Sequence, residues 1–129
     1  MTNPTALVIE DDPKLGVIYQ TALRQFGFDA ELDDMGRDFR ARLVNPAPAL
    51  IILDIHLPYA SGIEILEQIK ADKAWREAVV IVATADLFLS KSLASQADHV
   101  MIKPVSVDQI MKIVVGHWPD QIQPDIDSQ

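Results

Sequence analysis

The chain has 129 residues, 49% of them hydrophobic, which suits one globular domain with a real core. It contains no cysteine, which excludes a disulfide framework and a thiolate metal site. Nineteen acidic against eleven basic residues give a formal charge of -8, so the chain as a whole should repel nucleic acid. No apolar run approaches the ~20 residues of a membrane span, and Met1-Thr-Asn-Pro4 lacks the regions of a signal peptide. The expectation from composition is a soluble cytoplasmic protein without direct nucleic-acid or membrane contacts.

In chain order, Ala6–Ile9 is a short uninterrupted apolar run, the pattern of a strand covered on both faces in a parallel sheet. A helix follows. Asp12 is its N-cap, Pro13 its first position, Gly27 its stop, and Leu15, Ile18, Tyr19, Ala22 and Phe26 form its apolar stripe. Asp29–Leu32 reads as a second strand and Gly36–Val44 as a helix. Leu50–Leu53 is a third strand, followed by a helix that starts after Ser61 and carries Ile65, Leu66 and Ile69. Val79–Ala83 is a fourth strand, with a short helix over Leu87–Ala97. His99–Ile102 is a fifth strand. The last helix follows Ser106, whose capping box is completed by Gln109, and carries Val107, Ile110, Met111 and Val114. Strand and helix alternate throughout, which predicts an α/β fold with an open parallel sheet and helices on both faces. Residues 1–117 form the expected domain. Trp118–Gln129 reads as a polar tail whose loss is tolerated unless Trp118 packs onto the domain.

Ligands of such sheets bind outside the carboxyl ends of the strands. The polar residues stand at those ends: Glu10-Asp11-Asp12 after strand one, Asp54 after strand three, Thr84 after strand four, Lys103-Pro104 after strand five. If strands one and three are neighbours, Glu10, Asp11 and Asp54 converge, and three such carboxylates do not all stay ionised without a cation. Their oxygens suit a hard divalent ion such as Mg²⁺. Lys103 then supplies a positive charge and Thr84 a hydroxyl for the oxygens of a phosphoryl group. Beside them Asp54 is a candidate nucleophile towards phosphorus. Taken singly, each feature has a plainer reading: an acidic turn capping a helix, a turn-forming aspartate, a β-favouring threonine, the end of a strand.

Together the residues resemble the receiver domains of two-component response regulators. The resemblance runs from Ala6 to Val115 and rests on Val8-Ile-Glu-Asp-Asp12, Leu53-Asp-Ile-His-Leu-Pro58 with Gly62, Val82-Ala-Thr-Ala85, Ala97-Asp98 and Ile102-Lys-Pro104. It implies a flavodoxin-like, doubly wound (βα)5 domain with strand order 2-1-3-4-5. It implies that Asp54 accepts a phosphoryl group from a histidine kinase or a histidine phosphotransfer protein. It also implies that Glu10, Asp11, Asp54 and the backbone carbonyl of His56 hold Mg²⁺, that Thr84 and Lys103 contact the phosphoryl oxygens, and that Lys103-Pro104 is a cis peptide. The His56 side chain is expected at the mouth of the site, tuning access of water. His99 and His117 have no clustered partners and receive no role. At least one of Leu87, Phe88 and Leu89 is expected to be exposed for contact with a partner.

The sequence departs from the family between Thr84 and Lys103, where a few residues are missing, and at Val100, where an aromatic usually couples to the threonine. Phosphorylation chemistry is expected to survive while the output route, including dimerisation through the usual face, is altered. The reading is a phosphorylation-controlled switch acting on an unidentified downstream protein, with a homodimer possible, and not an enzyme beyond self-directed phosphotransfer and autodephosphorylation. Three rivals stand beside it: a receiver cut from a longer regulator or hybrid kinase, a phosphorylation-independent binding module, and an aspartate-nucleophile phosphatase. The last normally has an aspartate two residues after the nucleophile, where this chain has His56.

Overall fold

The computed structural model describes residues 3–34, 47–57 and 61–121. Five strands, β1 (Thr5–Ile9), β2 (Asp29–Asp33), β3 (Leu50–Asp54), β4 (Val79–Thr84) and β5 (His99–Ile102), form one sheet in the order β2-β1-β3-β4-β5. All four pairings are parallel. Four helices are described: α1 (Pro13–Phe26), α2 (Gly62–Ala71), α3 (Leu87–Leu93) and α4 (Val107–His117), with 3-10 turns at Trp75–Glu77 and Pro119–Gln121. The helix expected over Gly36–Val44 lies outside the described residues.

Side chains alternate across a strand, so each continuous apolar run is shared between the two faces of the sheet. Leu7, Ile9, Ile51, Leu53, Val80 and Val82 pack with Ile65, Leu66 and Ile69 of α2 and with Leu93 of α3. Ala6, Val8, Leu50, Ile52 and Ile81 pack on the other face with Tyr19 and Leu23 of α1 and Ile110 and Val114 of α4. Burial on both faces is why these strands show no polar alternation.

The helix termini follow the sequence signals. Asp12 accepts hydrogen bonds from the Lys14 and Leu15 amides, and Gly27 closes α1 with φ 116°, a left-handed conformation that glycine adopts without steric cost. Ser61 caps α2 through the Glu64 amide, and Ser106 and Gln109 form the reciprocal box on α4. Ile18 departs from the expected stripe. It is exposed at the flank of α1, and Leu23 takes the buried place.

The helix α3 ends at Leu93, short of the expected Ala97. Its serines turn back on their own backbone, Ser90 Oγ donating to Leu87 O at 2.7 Å and Ser92 Oγ to Leu89 O at 3.0 Å. Such bonds compete with helix propagation. The Gln96 and Ala97 amides both fold onto Leu93 O, closing the segment before β5. Asp98 Oδ2 then accepts the Val80 amide at 2.7 Å, which ties the entry of β5 to β4.

Trp118 belongs physically with the domain. Its ring meets Phe28 edge-on, centroids 5.1 Å apart, and its amide continues α4 by donating to Val114 O. The expectation that His99 and His117 have no partners is corrected: their Nε2 atoms are 2.8 Å apart. The missed signal was topological, because only the docking of α4 along β5 brings residues so distant in sequence together.

Candidate functional site

The sheet register sets the site. Ile9 pairs with Leu53 on one side and Asp33 on the other, so the residues just past β1 stand beside the end of β3. Glu10 and Asp54 are almost completely buried, and Asp11 is exposed. One carboxylate oxygen from each of Glu10, Asp11 and Asp54 can be chosen so that all three lie within 4.8 Å of one another.

Buried carboxylates need partners. Glu10 Oε2 accepts the Asp12 amide at 3.2 Å, and Asp54 Oδ1 accepts the His56 amide at 3.0 Å. Asp54 Oδ2 accepts from Lys103 Nζ at 3.0 Å. Lys103 reaches it from the end of β5, where Lys103-Pro104 is cis and the Lys103 amide donates to Thr84 O at 2.9 Å.

Protonation follows from this crowding. Burial, reinforced by the charge of Asp54, pushes the Glu10 carboxyl up from 4.5 to about 7, with the Asp12 amide and Lys103 pulling the other way. Burial by itself would lower the Lys103 ammonium, but the hydrogen bond to Asp54 and the charges of Glu10, Asp54 and Asp11 outweigh it and hold the group above its ordinary value. Burial and the nearby Glu10 charge also raise Tyr19, whose hydroxyl donates to Val105 O at 2.9 Å. The site thus carries excess negative charge that one lysine does not neutralise. An all-oxygen donor set with two buried members fits a hard divalent cation such as Mg²⁺.

The end of β4 supplies the remaining groups. Thr84 is fully buried, and its Oγ1 accepts the Asp86 amide at 3.1 Å. The exposed His56 ring lies at the mouth of the site, where its Nε2 stands 3.3 Å from Thr84 Oγ1. The sequence foretold the position of the ring but not this contact.

Two further residues shape the site. A Cβ on Gly62 would lie 2.4 Å from Ile55 Cα and 2.7 Å from Ile55 O, so only glycine lets α2 start against the segment that follows Asp54. Asp86 caps α3 through the Leu89 amide and leaves Leu87 and Phe88 exposed, while Leu89 packs on the core. All six sequence-predicted site residues are therefore clustered at one edge of the sheet. Three are buried there: Glu10, Asp54 and Thr84.

Comparison with known proteins bears on the family and the fold. A family model described as response regulator receiver domain matches residues 6–115. The transcriptional regulatory protein TrcR of Mycobacterium tuberculosis is 29% identical over 112 residues, covering 85% of this chain and 43% of TrcR. The phosphate regulon transcriptional regulatory protein PhoB of Rhizobium meliloti is 31% identical over 111 residues, covering 84% of this chain and 49% of PhoB. The chain thus spans less than half the length of either relative. Among solved structures, the signal receiver domain of a putative Luxo repressor protein from Vibrio parahaemolyticus superposes with a TM-score of 0.78 at 26% identity, covering 98% of both chains. A CheY-like receiver domain protein from Methanospirillum hungatei gives 0.79 at 24% identity over 93% of this chain and 97% of that one, a likeness of fold.

Proposed function

The chain belongs to the response regulator receiver domain family of two-component systems, and from that premise we propose that it is a switch whose Asp54 accepts a phosphoryl group from a histidine kinase or histidine phosphotransfer protein. The observation that carries the reading is the position of Asp54, buried between the acidic pair Glu10 and Asp11 and the Lys103 ammonium at 3.0 Å.

Asp54 is held for the task by its neighbours. The His56 amide fixes one carboxylate oxygen and Lys103 the other, which leaves the side chain a single orientation towards a donor at the mouth. In the transfer, an oxygen of Asp54 forms a bond to phosphorus as the P–N bond of a donor phosphohistidine breaks. The departing imidazole nitrogen keeps the bonding electron pair and is protonated from solvent. Lys103, freed from its ion pair with the carboxylate, and the Thr84 hydroxyl then meet the phosphoryl oxygens. Later attack of water on phosphorus returns inorganic phosphate and the free carboxylate.

Glu10, Asp11, Asp54 and the backbone carbonyl of His56 would hold Mg²⁺. When bound, the ion would offset the charge of the three acids and withdraw charge from the phosphoryl oxygens.

The new phosphoryl charge biases a two-state element that a partner protein senses. The exposed Leu87 and Phe88, one turn from Thr84, suit such a contact. No helix among the described residues is long and apolar enough to cross a membrane, and a cytoplasmic place beside a kinase suits this role. Incubation with acetyl phosphate tests the reading. One phosphoryl group should be gained with Mg²⁺ present and none in excess chelator; an unchanged mass in both would refute it.

A further inference from the structure

Thr84 has one hydroxyl proton and two lone pairs, and the structure already engages it twice, with the Asp86 amide at 3.1 Å and His56 Nε2 at 3.3 Å. The residue three positions before Lys103 is Val100, an apolar side chain that pairs with Val82 and packs on the core under α2 and α3. It has no ring to swing into space vacated by Thr84 and no polar atom to follow the hydroxyl. His56 has both, and it is exposed. Its backbone amide is bonded to Asp54 Oδ1 while its ring rests on Thr84, so a single residue touches both the carboxylate and the hydroxyl.

We propose that His56 is the partner through which the state of Asp54 is read: its ring holds the Thr84 hydroxyl in the resting protein and is released into solvent when that hydroxyl turns to a phosphoryl oxygen. The inference rests on Asp54 being the phosphoacceptor. His56 acts here as a positioning residue, because its ring sets where the Thr84 hydroxyl points and takes no part in bond making. Two consequences follow from the geometry. The resting contact must break before Thr84 reaches the phosphoryl group, so it slows labelling by a modest factor. The signal emerges at His56 and its bridge partner Ser61, and through the Asp86 amide on Thr84 at the start of α3, and not on β5.

The test uses the full chain labelled with ¹⁵N in its histidines, at one fixed pH throughout. Before acetyl phosphate is added, the His56 ring resonances should differ between wild type and Thr84→Val. On phosphorylation the wild-type resonances should move to the Thr84→Val positions. His56→Ala should acquire its label between about two and about ten times faster than wild type, the range expected for losing one hydrogen bond. His56→Gln, which offers a polar group at the reach of Nε2, should return the rate towards wild type. The inference is overturned if wild type becomes labelled while its His56 ring signals stay fixed, or if His56→Ala labels at the wild-type rate. Wild type that takes no label at all overturns the phosphoacceptor reading itself, and this inference with it.

Discussion

Lys103 Nζ lies 3.0 Å from Asp54 Oδ2, joining the end of β5 to the end of β3 across the intervening strand β4. Asp54 is 1% exposed, whereas the Lys103 side chain keeps 29% of its surface in contact with solvent. The lysine is therefore both a partner for a buried carboxylate and a cation able to move. Replacing it separates charge stabilisation from metal binding. Lys103→Met should lower the rate of labelling by acetyl phosphate by about a hundredfold or more, the usual effect of removing one preorganised donor from a developing charge. Mg²⁺ affinity, followed by intrinsic fluorescence or calorimetry, should stay the same or rise, because the site becomes more negative. A parallel loss of Mg²⁺ binding would show that Lys103 organises the acids and does not serve the phosphoryl group.

The raised Glu10 carboxyl makes stability depend on pH in a defined direction. Between pH 4.5 and about 7 the folded protein holds a proton on Glu10 that the unfolded chain has released. The associated stability is fully present below pH 4.5 and is lost as pH rises through about 7. Urea titrations in chelator should therefore give a lower midpoint at pH 8 than at pH 5.5. Mg²⁺ should stabilise the protein more at pH 8, where no proton has to be displaced, and an equal Mg²⁺ effect at both pH values would contradict the assignment of Glu10 as a ligand.

Gly62 is required by backbone contact and not by a side chain that can yield. A methyl group there would lie 2.4 Å from Ile55 Cα and 2.8 Å from Asp54 O. Gly62→Ala should cost about 1–3 kcal/mol, as expected for overpacking against backbone, and should slow labelling because the segment after Asp54 must shift. Thermal unfolding and labelling rates check both; an unchanged melting temperature with normal labelling would show that the start of α2 moves freely.

Trp118 extends the core past the last helix. Trp118→Ala removes the edge contact with Phe28 and should destabilise the protein by about 1–3 kcal/mol, less than for a fully buried tryptophan because the ring is only half-buried. Labelling at Asp54 should be unaffected in the folded fraction. Chemical denaturation of the variant, read by circular dichroism, measures the loss directly.

The fold was legible because its strongest constraints are local. Runs such as Leu50–Asp54 are apolar at every position except the last, and helix signals such as Asp12, Pro13, Gly27 and the Ser106–Gln109 box act within one turn. The candidate site was legible for a related reason: in a parallel sheet the strand ends lie together, so the acids just after β1, the acid that ends β3 and the lysine after β5 had to share one end of the sheet. What escaped the sequence depends on packing between distant segments. The pairing of His99 with His117, the seating of Trp118 on Phe28 and the reach of His56 to Thr84 each join residues with no local signature. The end of α3 escaped for another reason. The spacing of Leu89, Leu93 and Ala97 is helical, but the Ser90, Ser92 and Ser95 hydroxyls each donate to the carbonyl three residues back, and periodicity does not register that competition.

The central claim, that Asp54 takes the phosphoryl group, is tested most directly by locating it. Protein treated with acetyl phosphate and Mg²⁺ is digested, and each peptide is weighed before and after acid hydrolysis of the acyl phosphate. The account predicts one labile phosphoryl group, confined to the peptide containing Asp54 and absent from Asp54→Asn. A label on any other peptide, or one that persists in Asp54→Asn, would contradict it.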